Sequence, residues 1–187
     1  MKDKTKNKGS GWYAVWRIYS AKNLRQSLYA PFALTAGCFI ICAFFTGKDS
    51  FELLSFIAGL IVTIVPGILG FTLTGYALLM GFCNSDILNG LKKHKPQGRE
   101  HSMFQILNST FAVVLYVLFF TTLLGSFVSI IIKAEIPMCP YIIQYAECYN
   151  YLWFFVLVLA LFYAINSIKD IVINIFNFGQ YVQNHNG

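Results

Sequence analysis

With 187 residues, of which 57% are apolar, 17% aromatic and only 12% charged, the chain has too little polar side-chain surface for a water-soluble globule of its size. Its formal net charge of +6 is gathered in a few short segments. Composition therefore excludes a soluble domain and predicts an all-α integral membrane protein, with the basic excess read as membrane orientation before nucleic-acid binding.

Residues 1–11 alternate lysine with small polar residues and end on Gly9-Ser10-Gly11, a composition that predicts a disordered basic tail. Over residues 12–27, Trp12, Trp16 and Tyr19 recur about one turn apart, with Arg17, Lys22 and Arg25 on other faces. That pattern predicts an interfacial amphipathic helix with its rings at headgroup depth; because Tyr13, Ile18 and Leu24 lie off the stripe, a helix packed partly against protein is the alternative. The first crossing is expected from Leu28 to Thr46, with Pro31 in its first turn, where a missing amide costs little. Leu34 to Cys38 faintly resembles a lipoprotein cleavage site, but the apolar run continues through Phe45, as a retained crossing requires. Cys38 and Cys42, one turn apart, read as packing residues.

The second apolar stretch, Glu52 to Cys83, would extend about 48 Å as a straight helix, against about 30 Å of hydrocarbon. Pro66, followed by Gly67, removes the hydrogen bond to the Val62 carbonyl, so a long second helix kinked at Pro66-Gly67 is expected. Gly59, Thr63, Gly67, Gly70, Thr74, Ala77 and Gly81 follow at steps of three or four, which places them on one face. Small residues let backbones approach closely in lipid, so this face is the predicted helix-packing or oligomer interface.

The cytoplasmic loop 84–102 contains Asn89-Gly90 and Pro96, both turn signals, and a mixed set of charges. Asp86, Lys92, Lys93, Lys95, Arg99 and Glu100 form the candidate surface for a soluble partner. In the third crossing, Phe111 to Ile132, Thr122, Ser126 and Ser129 are placed to bond across to Thr63 and Thr74. The outer loop 133–148 carries Cys139 and Cys148, which could bridge on an oxidising side, although spacing alone does not establish it. The last crossing, Tyr149 to Ile168, opens on Tyr149, Tyr151 and Trp153 as an aromatic belt, and its helix is expected to continue to Phe178, at the end of a four-helix domain spanning 28–178. Ile168, Ile171, Val172 and Ile175 would offer an apolar stripe to a partner or sister subunit, and residues 179–187 form a tail.

Lysine and arginine crowd the segment before the first crossing and the loop after the second, whereas the other two loops are nearly balanced in charge. Both termini are therefore expected in the cytoplasm. The sequence has no phosphate loop, zinc-protease motif, dinucleotide glycine motif or serine elbow, and His94, His101 and His185 are scattered. No catalytic residue, metal site or cofactor is expected. The reading that remains is a non-enzymatic scaffold or sensor; a small channel or carrier with a broken second helix and a holin-like pore former are the alternatives.

The run Pro66-Gly67-Ile68-Leu69-Gly70-Phe71, the Gly75-Tyr76 pair, the chain length and the lysine-rich start together resemble the small four-crossing bacterial membrane proteins of phage-defence operons, in particular the KwaA membrane component of the Kiwa system. The resemblance implies an inner-membrane homo-oligomer, a tetramer by that resemblance alone. It further implies a sensor that recruits a cytosolic DNA-binding partner of the KwaB kind when infection disturbs the membrane, without itself touching nucleic acid.

Overall fold

The computed structural model describes residues 11–19, 21–45, 47–96, 98, 100–134 and 145–186, and every regular element among them is an α-helix. The basic tail up to residue 10, Gln97, Arg99, and Cys139 with most of the outer loop lie outside the described residues, as do the side chains of Trp12, Lys22 and Arg25. In chain order the helices are α1 (Trp12–Ile18), α2 (Ala21–Phe45), α3 (Ser50–Phe82), α4 (Ser85–Lys93), α5 (Met103–Lys133) and α6 (Ala146–Asn186). Those numbered α2, α3, α5 and α6 each contain a stretch long and apolar enough to cross a bilayer, so the chain is a multi-pass membrane protein.

Local chemistry explains where the helices start. Asp49 caps α3 by accepting the Glu52 amide at 2.7 Å, and Lys48 pairs with the Glu52 carboxylate at 2.8 Å. Asn84 caps α4 in the same way through the Ile87 amide. A reciprocal capping box between Ser102 and Gln105 opens α5.

Three elements depart from expectation. The first long helix begins at Ala21, after a break that follows α1, so Pro31 sits in the interior of α2 instead of its first turn. Asn89-Gly90 is not a turn but part of α4, an amphipathic helix that buries Leu91 while Lys92 and Lys93 stay exposed. The last helix runs through Asn186 for 41 residues, about 60 Å at a rise of 1.5 Å per residue, so residues 179–186 extend the helix where a tail was expected.

The core is shared by α3, α5 and α6, whose Ile61, Val65, Phe111, Val114, Leu118, Leu157 and Ala164 are buried. In lipid, such burial stabilises through close packing more than through exclusion of water. A close approach in this core is at Gly125 on α5, where an added Cβ would overlap the Cγ2 atom of Ile61 and lie 2.9 Å from its Cβ. Tyr76 of α3 also donates to Asn108 of α5, and its ring meets Phe111 at a tilt with centroids 4.9 Å apart. The α2 helix packs mainly on α6, where the Phe39 ring meets Tyr151 and Phe155 at centroid distances of 5.9 and 5.6 Å.

The small-residue face of α3 takes no part in this core. Gly59, Thr63, Gly67, Gly70, Thr74, Ala77 and Gly81 are all exposed, roughly 180° around the helix from Ile61 and Val65. Thr63 and Thr74 return their hydroxyls to the Gly59 and Gly70 carbonyls at 2.9 Å, and Thr122 returns its own to Leu118 at 2.9 Å. The bonds expected between Thr122 and Thr63 or Thr74 are therefore not made within the protomer. Each proton is spent on its own helix.

Candidate functional site

The most heavily functionalised region lies where the N-terminal segment, the connection between α3 and α5, and the distal half of α6 meet. Its geometry starts with Pro31. Proline has no amide hydrogen, so the carbonyl four residues earlier, that of Ser27, loses its helical partner. The Asn166 side chain of α6 fills the gap, donating to the Ser27 carbonyl at 2.9 Å. A backbone defect in α2 is thus repaired by a polar residue of a neighbouring helix, and the repair sets the register between them.

Asn166 opens a polar stripe on α6. Asp170, Asn174 and Asn177 follow at steps of four, four and three, which keeps them on one face. Asp170 accepts from the Tyr19 hydroxyl at 3.0 Å and from the Ser27 hydroxyl at 3.5 Å, both at Oδ2. Asn174 donates to Thr110 Oγ1 of α5 at 2.9 Å, and Thr110 passes its own proton to the Ile106 carbonyl at 3.0 Å. Tyr19 is only 6% exposed. Burial first, and then the Asp170 carboxylate, hold its phenol well above the ordinary tyrosine range.

The sequence pattern places Tyr19 in the lipid interface beside Trp16; the structure instead turns it inward as the N-terminal segment's tie to α6. Tyr19 leaves α1 with extended backbone, while Tyr13 within α1 is 70% exposed. Arg17 remains exposed.

On the other side of this region α6 meets α4. Tyr181 is buried against Gly90, where any side chain would collide with the phenol, and its ring packs on His94 with centroids 4.9 Å apart. Gly90 is therefore an approach glycine, which explains its place inside a helix. The Met103 amide donates to the His94 carbonyl at 2.9 Å, joining the connection to the start of α5, and Lys92 sits 5.7 Å from the centre of the Phe104 ring.

Between these ties lies an open cavity of about 720 Å³, lined among others by Tyr19, Ser27, Thr110, Asp170, Asn174 and Tyr181. Of the predicted partner residues, Asp86, Lys92, Lys93, Lys95 and Glu100 are exposed at this same end, while Arg99 is outside the described residues. Cys148 is exposed near the start of α6, but its suggested bridge involves Cys139, outside the described residues. The apolar stripe predicted for a partner divides: Ile171 is buried within the chain, whereas Val172 and Ile175 are 60% and 40% exposed.

The polar stripe of α6 has a signal in its spacing, but periodicity alone also suits a solvated helix leaving the bilayer. The partner residues Tyr19, Ser27 and Thr110 decide between the two, and only the fold brings them together. No family model, no curated protein and no solved structure matches this chain.

Proposed function

We propose that the protein is a non-enzymatic scaffold or sensor of a bacterial inner membrane, oligomeric through the small-residue face of α3, whose basic end faces the cytoplasm and engages a soluble protein. The observation that carries this reading is the convergence of three separate chain segments at one end of the bundle. The Tyr19–Asp170 and Asn166–Ser27 bonds and the Tyr181–Gly90 contact tie the N-terminal segment and α4 to the same helix. A change in the packing of α6 would reach all three at once, and the exposed Lys92, Lys93 and Lys95 are where a partner would feel it. The positive-inside rule supports the orientation. The uncovered glycines of α3 support the oligomer, since a Cβ added there would meet nothing within 4 Å in the protomer.

With the resemblance to the Kiwa membrane component, this becomes a phage-defence sensor that recruits a cytosolic DNA-binding effector. The polar cavity favours a second reading, a small carrier using Asp170. Reconstitution into liposomes separates the two: the scaffold reading expects no ion or amine flux above protein-free vesicles. A selective flux lost with Asp170→Asn would replace it with the carrier.

A further inference from the structure

We propose that the cavity beside α6 binds a primary ammonium group, held by the Asp170 carboxylate oxygen that no described residue occupies and by the side-chain carbonyl of Asn174. A cavity of about 720 Å³ falls in the size range of small-molecule sites. Its chemistry follows from counting which hydrogen-bonding groups are already used.

The Tyr19 and Ser27 hydroxyls both point at Oδ2 of Asp170. Among the described residues Oδ1 accepts no hydrogen bond, and no cation lies within ion-pair distance of the carboxylate. The orientation of Asn174 is also determined. Thr110 gives its only proton to the Ile106 carbonyl, so its oxygen can only accept from Asn174, whose amide nitrogen must face it. The amide oxygen is left over. Ser109 likewise donates to the Ile106 carbonyl, at 2.9 Å. Among the described residues the inner wall has thus spent these donors inside the protein and keeps two acceptors, one of them charged, one turn apart on α6.

A group that satisfies both carries several N–H donors and a positive charge, as a primary alkylammonium does. The rim has the opposite character. Lys169, Gln26 and Asn177 line its exposed edge and offer donors to an anion. The match is a zwitterion with its ammonium inward and its anion outward, as in phosphoethanolamine. A trimethylammonium group carries no N–H and leaves both acceptors unpaired. Two sources share this chemistry, a phosphatidylethanolamine headgroup entering from the membrane and a free phosphoethanolamine-type solute. The inference is independent of the scaffold reading, because it concerns binding and not what binding triggers.

The test uses the full-length purified protein. It compares retention of phosphatidylethanolamine and phosphatidylcholine by native mass spectrometry, and titrates glycerophosphoethanolamine against glycerophosphocholine. Ethanolamine forms should bind at least about tenfold more tightly than choline forms, the scale of a charge-assisted hydrogen bond. Asp170→Asn keeps an oxygen for Tyr19 but replaces the charged acceptor with a donor, and should abolish that preference. Binding of the lipid alone assigns the site to the headgroup, whereas binding of the solute as well assigns it to a soluble ligand. Equal binding of ethanolamine and choline forms to the wild-type chain overturns the proposal, and so does an ethanolamine preference that survives Asp170→Asn. The wild-type comparison decides by itself if the variant does not fold.

Discussion

Replacing Asn166 by leucine should destabilise the fold by an amount that depends on whether Pro31 is present. In the native chain Asn166→Leu strands the Ser27 carbonyl, which has lost its helical donor to the proline ring and receives its hydrogen bond from Asn166 at 2.9 Å. A buried unsatisfied carbonyl costs about 1–3 kcal/mol, while interhelical polar contacts in membranes average about 0.6 and reach about 1.7 kcal/mol. The half-buried position of Ser27, near the end of the candidate span that begins at Gln26, places the expectation at about 1–1.5 kcal/mol. In a Pro31→Ala background, residue 31 regains an amide that can bond the same carbonyl. There Asn166→Leu should cost less than about 0.5 kcal/mol, so the cycle should show a coupling of about 1 kcal/mol. Reversible unfolding of the four proteins in mixed micelles measures it. Equal costs in both backgrounds would refute the assignment of Asn166 as the repair of a proline defect.

Gly125→Ala should destabilise by about 1–2 kcal/mol through overlap with Ile61, even after the helix-propensity gain of alanine, and Ile61→Ala in the same chain should relieve most of the overlap; unfolding midpoints in mild detergent decide it. Gly67→Leu and Gly70→Leu add side chains at exposed positions where a Cβ meets nothing within 4 Å in the protomer, so they should leave monomer stability within about 0.5 kcal/mol of native yet shift the native mass from oligomer to monomer; an unchanged oligomer would remove this face as an interface. Because the Tyr19 phenol is held above its unfolded value, its contribution should be constant below about pH 10 and decline as pH rises toward its folded pKa. Thermal scans of the native chain and Tyr19→Phe should therefore be separated by a constant gap at neutral pH that closes under strong alkali. Thiol labelling of single cysteines should mark position 95 from the cytoplasm and position 48 from outside; the reverse pattern would invert the topology.

The crossings are legible in the sequence because an apolar run of bilayer length fits lipid and almost nothing else, and the helix caps at Asp49 and Ser102 stand at the edges of those runs. The small-residue face of α3 is legible as a pattern but not in its direction. Glycines at helical spacing suit a sister helix in the same chain or in another, and only the packing of Ile61 and Val65 on α5 and α6 shows that they point outward. The polar site is less visible. Pro31 looks like a helix start because residues 21–27 are too polar to belong to a crossing. Their helix is continuous with it all the same, and a proline made interior creates the need that Asn166 fills. Gly90 looks like a turn for the same kind of reason: the residue that requires it, Tyr181, is 91 positions away.

The most direct test of the central claim, that the converged basic end passes the state of the membrane domain to a soluble protein, is quantitative co-purification. Tagged native chain and a Lys92→Glu, Lys93→Glu, Lys95→Glu variant would be crosslinked in the host before and during phage challenge. The account predicts that one soluble DNA-binding protein is recovered in stoichiometric amount with the native chain and lost from the variant, with membrane insertion and oligomer mass equal in both. Recovery of no soluble protein with the native chain under either condition, or undiminished recovery with the variant, would contradict it.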